Sequence, residues 1–248
     1  MNQINQKEIL CEGIKQTGFL LNEYQAEQFL KYYELLVEWN QKINLTAITE
    51  FEQVVVKHFA DSVSLLSAIE IPVHASMIDV GTGAGFPGIP LKIVRPDLNI
   101  TLLDSLNKRV GFLNEIICSI HLEDTEGEIQ AIHGRAEELS RSSLYRGQYD
   151  FAVSRAVSNI SVISEYCIPF LKVNGIFAAY KSGGFAEEKL LYENGIKKLN
   201  AEIDFIKEFQ ITGANETADR TFVIIRKTDL TPDQYPRRSG IPEKRPLK

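Results

Sequence analysis

Between Met77 and Gly88 the chain reads Met-Ile-Asp-Val-Gly-Thr-Gly-Ala-Gly-Phe-Pro-Gly, the residue types of a nucleotide-binding loop. An apolar run enters a glycine-rich turn and a helix is expected to follow. Glycines let the backbone turn sharply and approach a ligand, and a helix start presents unpaired N–H groups. Pro87 suits a helix start, where its missing N–H is not needed. Gly83 to Gly88 also reads as GxGxxG, so an NAD-dependent dehydrogenase competes. In both readings Asp104, ending the second expected strand, can accept hydrogen bonds from ribose hydroxyls. Asp79 favours a different ligand, because a carboxylate just before the first glycine suits a cation and repels a pyrophosphate. S-adenosylmethionine, a sulfonium, is the expected cofactor. A ligand-free glycine turn and a non-catalytic RNA- or nucleotide-binding module remain as alternatives.

Absences narrow the methyl acceptor. Attack through carbon five of a pyrimidine needs a cysteine nucleophile, usually shown after a proline, and no Pro-Cys dipeptide occurs. Methylation of an exocyclic amine usually uses an Asn/Asp-Pro-Pro-aromatic turn after the fourth strand. That position here reads Phe151-Ala152-Val153-Ser154-Arg155-Ala156-Val157. Arg155 offers a planar fork for carbonyl or phosphate oxygens, with a strand-end salt bridge as its plainer role. Lys181, after the fifth expected strand, is a second candidate for positioning the acceptor. A guanine ring nitrogen with a free lone pair would need positioning rather than a general base. His58 and Asp61 lie three apart on an expected helix, where packing or a lid over the cofactor is favoured over catalysis.

The elements that must hold these groups follow from periodicity. Apolar positions at helical spacing run through Phe29, Tyr32, Tyr33, Leu36, Val37 and Trp39, and through Val55, Phe59, Val63 and Leu66. Strands are expected at Ser76–Val80, Asn99–Leu103, Ile129–Ile132, Tyr149–Ser154 and Gly175–Tyr180. Helices are expected near Gly88–Val94, Leu106–Ser119, Ala136–Ser140, Asn159–Leu171 and Phe185–Asn200. That alternation predicts an α/β fold, Rossmann-like, with right-handed crossovers over a mainly parallel sheet. Two last runs, Ile206–Ile211 and Thr221–Arg226, around a loop with Gly213 and Asn215, predict an antiparallel hairpin that a nicotinamide domain does not require. The expected divisions are a helical extension over 1–70, a methyltransferase domain over 71–228 and a basic tail over 229–248.

Composition limits the class. The 248 residues are 44% hydrophobic and 24% charged, with no apolar run long enough to span a bilayer and no apolar signal core at the start. Cys11, Cys118 and Cys167 form no paired motif, so no metal or disulfide framework is expected and a reducing cytoplasm fits. The net charge is −6, which argues against indiscriminate coating of nucleic acid. Residues 226–248 carry seven basic and three acidic side chains. A basic tail on an acidic body suggests a local phosphate contact, with a solvated tail as the alternative.

Several segments together resemble the RsmG (GidB) family of bacterial 16S ribosomal RNA guanine N7-methyltransferases. They are Trp39-Asn40 with Asn44-Leu45-Thr46, Lys57-His58-Phe59-Ala60-Asp61-Ser62 and the loop Asp79 to Gly88. Further matches are Leu103-Asp104-Ser105 with Lys108-Arg109, Gly134-Arg135-Ala136-Glu137 and Val153-Ser154-Arg155-Ala156. Asn107 stands where many relatives have glycine. The resemblance implies a class I methyltransferase fold with a seven-stranded sheet. It also implies methylation of N7 of a guanine in a loop of 16S ribosomal RNA. Cofactor contacts are then expected from Asp79, Gly81, Gly83, Gly85, Phe86, Asp104, Ser105, Leu106, Ala136, Glu137 and Arg155. Phe86 would be a flat apolar wall and the Ala136-Glu137 pair would meet the adenine edge. RNA contacts are expected from Arg135, Lys181, Arg226, Arg237 and Arg238, with the small ribosomal subunit as partner. A monomer with no metal and no membrane partner is expected.

Overall fold

Short runs of β-branched and apolar residues alternating with helices give the sheet its order. In the computed structural model, which describes residues 3–155, 159–182, 189–213 and 217–248, the strands are β1 Ser76–Val80, β2 Asn99–Asp104, β3 Ile129–His133, β4 Tyr149–Ser154, β5 Leu171–Ser182, β6 Ala201–Thr212 and β7 Thr217–Lys227. They form one sheet in the order β3-β2-β1-β4-β5-β7-β6. The first five pair in parallel, while β5–β7 and β6–β7 are antiparallel. The fold is therefore Rossmann-like, closed at one edge by the expected hairpin. Its strands are longer than expected, because β6 and β7 pair over eleven positions that polar residues interrupt. Asn215 and the residues 183–188 lie outside the described segments.

Strand alternation assigns side chains to opposite faces. Met77, Ile100, Leu102, Phe151 and Val153 join one core, and Ile78, Val80, Leu103, Ala152 and Ala179 join another. Against the first face packs an N-terminal layer of α1 Gln3–Lys15, α2 Glu23–Asn40, α3 Phe51–Val54 and α4 Asp61–Val63, the last two joined by a π-helical turn, Val55–Ala60. Helix α2 starts with a capping box between Asn22 and Gln25 and buries Ala26, Phe29, Tyr32, Leu35 and Leu36. These residues share one core with the sheet. The boundary expected at residue 70 thus has no counterpart in packing.

Helices α5 Gly88–Val94, α6 Asn107–Ser119, α7 Ala136–Leu139, α8 Ile160–Cys167, α9 Lys189–Lys197 and α10 Ile241–Lys244 complete the chain. The C-terminal segment is not a solvated tail. Tyr235 and Leu247 are buried in the second core, which also holds Ile163 and Cys167 of α8. Arg146 donates to the carbonyls of Thr231, at 2.8 Å, and Tyr235, at 3.0 Å. No helix among the described residues is long and apolar enough to cross a membrane.

Candidate active site

The carboxyl ends of β1 to β4 converge with α8 around a cavity of about 220 Å³. Its apolar walls include Val80, Leu103, Ala136 and Ile163, and its polar rim includes Ser105, Glu137 and Tyr166. Alternation explains the selection. Val80, Leu103 and Ser154 point to the second face and line the cavity, whereas Asp79 and Arg155, one residue removed, belong to the first face.

Asp79 is fully buried and organises the loop. Its Oδ2 accepts from Thr82 Oγ1 at 2.7 Å and from the Gly88 N–H at 2.8 Å, while Oδ1 has no partner. Burial pushes its pKa up to about 7 against the opposing pull of those hydrogen bonds. Asp104 does similar work, accepting from the Gly83 N–H at 2.9 Å through Oδ2 and from the Leu106 N–H at 2.9 Å through Oδ1. Arg109 lies 3.5 Å from the same carboxylate. Gly81, Gly83 and Gly85 all have positive φ, as the turn requires. At Gly81, which lines the cavity, an added Cβ would meet no atom within 4 Å. That empty space admits close approach of a ligand.

Of the expected cofactor residues, the cavity wall brings together Gly81, Ser105, Ala136 and Glu137, with Arg135 beside them. Leu106 is 52% exposed next to Ser105, an apolar side chain left open at the rim. Asp79, Gly83, Gly85, Phe86, Asp104, Leu106 and Arg155 are not on that wall. Sequence reasoning missed Ile163, Tyr166 and Cys167, a stripe at helical spacing on α8, and Gly240 and Glu243 of the C-terminal segment. Burial pushes the Cys167 thiol well up, so it stays protonated rather than nucleophilic.

On the other face stands a second cluster. Phe86 is 4% exposed, stacked on His58 with ring centroids 4.6 Å apart, and the Arg155 guanidinium lies 4.8 Å from its centroid. It is a core aromatic between the loop and the N-terminal layer, not a wall of the cavity. Arg155 donates to the Lys57 carbonyl at 2.9 Å and to Asp61 Oδ2 at 3.1 Å, and Arg220 donates to Asp61 Oδ1 at 2.7 Å. His58 lies 2.8 Å from Thr46 Oγ1, and burial, then the charge of Arg155, pulls its pKa down to about 3. A histidine held neutral in this way is a packing and hydrogen-bonding group. The π turn carries His58, and the start of α4 directly after it carries Asp61, into contact with Arg155.

The expected RNA contacts divide. Arg135 and Arg238 are exposed, and Lys181, at the end of β5, is partly buried. Arg226 is ion-paired with Asp204. Arg237 is turned inward, donating to the fully buried Glu165 through Nη2 at 2.6 Å, Nε at 2.9 Å and its own backbone N–H at 2.7 Å. Charge alone could not separate Arg237 from Arg238, because the separation depends on a carboxylate 72 positions earlier.

A family model described as GidB, rRNA small subunit methyltransferase G, matches residues 25–217. The chain belongs to this family. A Ribosomal RNA small subunit methyltransferase G from Alkaliphilus metalliredigens is 46% identical over 98% of this chain and 99% of its own length. One from Desulforamulus reducens is 46% identical over 96% and 97%. Among solved structures, TYW2 from M. jannaschii in complex with AdoMet is 13% identical, with a TM-score of 0.50 over 66% of this chain and 74% of that one. That likeness shows the fold. The chain is an S-adenosylmethionine-dependent methyltransferase of this family.

Proposed function

We propose that this protein transfers the methyl group of S-adenosylmethionine to N7 of a guanine in small-subunit ribosomal RNA, in the cytoplasm. The observation that carries the cofactor reading is the cavity at the carboxyl ends of β1 to β4, with Gly81 facing empty space. An apolar slot lined by Val80, Leu103, Ala136 and Ile163 suits a purine, and the buried, unpartnered Oδ1 of Asp79 places negative potential behind the glycine turn. The residues present fit an adenosine with a cationic group.

When bound, the cofactor supplies a methyl group on a sulfonium, an electrophile that a ring nitrogen with a free lone pair can attack. The chain's own contribution is positioning. Asp104 and Asp79 rigidify the loop through backbone N–H groups, and Asp61 with the π turn fixes the Arg155 fork. No group must remove a proton, consistent with His58 held neutral and packed. Orientation of this kind can account for up to ~7–11 kcal/mol of barrier. The RNA and guanine assignments are supported by the family and by what its relatives are named for. Arg135, Arg238 and Lys181 are the proposed RNA contacts, and a loop base is the expected target because splaying it out costs less than opening a pair.

Purified protein incubated with methyl-labelled donor and undermethylated small subunits should transfer close to one label per particle. Binding of RNA without transfer would make it a non-catalytic module. Binding of NAD with none of S-adenosylmethionine would make it a dehydrogenase.

A further inference from the structure

Residues 229–248 lie beyond the segment matched by the family model, yet two of them line the cavity. Gly240 and Glu243 line it together with Gly81 of the glycine loop. Gly240 has φ +77°, and an added Cβ there would meet no atom within 4 Å. Gly81, which lines the same cavity, has the same two properties. Two glycines with left-handed backbone, each fronting open space in one cavity, let the backbone of both segments approach a ligand closely.

The segment is also held in register. Arg237 grips the buried Glu165 through its side chain and backbone, and Arg146 holds the carbonyls of Thr231 and Tyr235. The Gly240 N–H donates to Glu137 Oε1 at 3.2 Å. Glu137, expected from the sequence to meet the adenine edge, thus spends part of its carboxylate on the strap. Tyr166, which lines the cavity with both acids, has its pKa pushed up by burial and then by the Glu137 and Glu243 carboxylates. The seven basic residues of 226–248 divide accordingly: Arg226 and Arg237 are ion-paired, Lys227 is buried, and the other four face solvent.

We propose that the C-terminal segment is a wall of the cofactor site, with the Gly240–Glu243 turn covering the adenosine moiety and Glu243 contributing to its affinity. This rests on the S-adenosylmethionine reading above. Because Glu243 is exposed, its replacement leaves the fold intact, which makes it the cleaner variant. Arg237→Lys keeps the charge opposite Glu165 but loses the fork.

The test uses the full chain with S-adenosylhomocysteine as probe, combining calorimetric affinity with hydrogen exchange over residues 231–248. Saturating probe should slow exchange around Gly240. Glu243→Ala should weaken binding by about fivefold or more at unchanged melting temperature, and Arg237→Lys should weaken binding and speed exchange of the strap together. Unchanged affinity in Glu243→Ala with no protection of the strap would overturn the proposal and leave the methyltransferase reading standing. Faster exchange of the strap on binding would also overturn it, since the segment would then be displaced rather than enclosing. No binding of probe to the wild-type chain would remove the cofactor reading and this inference with it.

Discussion

At the scale of residues, two acids of the loop hold its backbone in place, a task their position alone does not announce. Asp79 and Asp104 spend their oxygens on Thr82, Gly83, Gly88 and Leu106, and so stabilise the loop before any ligand arrives. Asp79 nevertheless remains sensitive to charge, because burial has pushed its pKa up to about 7 and one oxygen is unpartnered. A cation in the neighbouring cavity favours the ionised form. Below pH 7 ligand binding must therefore release a proton from Asp79, so affinity rises toward pH 7 by at most about tenfold per unit and levels off above it. We expect this slope in titrations of S-adenosylmethionine between pH 6 and 8.5. It should be shallower for S-adenosylhomocysteine, which lacks the sulfonium, and flat in Asp79→Asn; equal slopes for both ligands would contradict it. On the opposite face, Asp61 bridges two arginines with only 4% of its side chain exposed. Asp61→Ala should cost about 3 kcal/mol in urea unfolding, because it leaves Arg155 and Arg220 without their counter-charge; a loss under about 1 kcal/mol would show that the pairs are solvated. The identity of these residues was legible in the sequence, and their orientation was not. The loop's residue types announce a ligand, but which of Asp79 and Val80 faces it depends on strand parity relative to two cores that come from distant segments.

At the scale of elements, the loop is tied from several sides. Tyr32 of α2 donates its hydroxyl to the Ala84 carbonyl, and a Cβ at Gly88 would meet Leu102 Cδ2 at 2.3 Å and Asp79 Oδ2 at 3.0 Å. Gly88→Ala should therefore destabilise by about 1–3 kcal/mol through overpacking, read as a lower thermal midpoint; an unchanged midpoint would mean that α5 shifts freely against β2. The five parallel strands and the hairpin were readable because each holds a short stretch rich in β-branched and aromatic residues bounded by turn or helix signals. Their full lengths were not, since β5 begins at Leu171 with three exposed residues, Lys172, Val173 and Asn174, that local pattern assigns to a turn. The docked C-terminal segment was illegible for a different reason. Its anchors are Arg146, Glu165 and Glu137, none of them near it in the chain.

At the scale of the whole molecule, the N-terminal helices and the sheet form one core. Phe29, Tyr32, Leu36 and Phe59 are fully buried in the same cluster as Met77, Leu102 and Phe112. A fragment of residues 71–248 would expose that sheet face. We expect it to lose near-ultraviolet circular dichroism and to aggregate; a soluble fragment with a cooperative transition would show residues 1–70 to be a dispensable extension. The two faces carry different assemblies: one holds the cavity with Gly240 and Glu243 of the C-terminal segment, the other holds Arg155 against Asp61 and the π turn. The most direct test of the whole is the identity of the methylated atom. Small subunits reacted with methyl-labelled S-adenosylmethionine would be digested to nucleosides and separated. The label should co-migrate with 7-methylguanosine, and label in any other nucleoside, or none at all, would contradict the assignment.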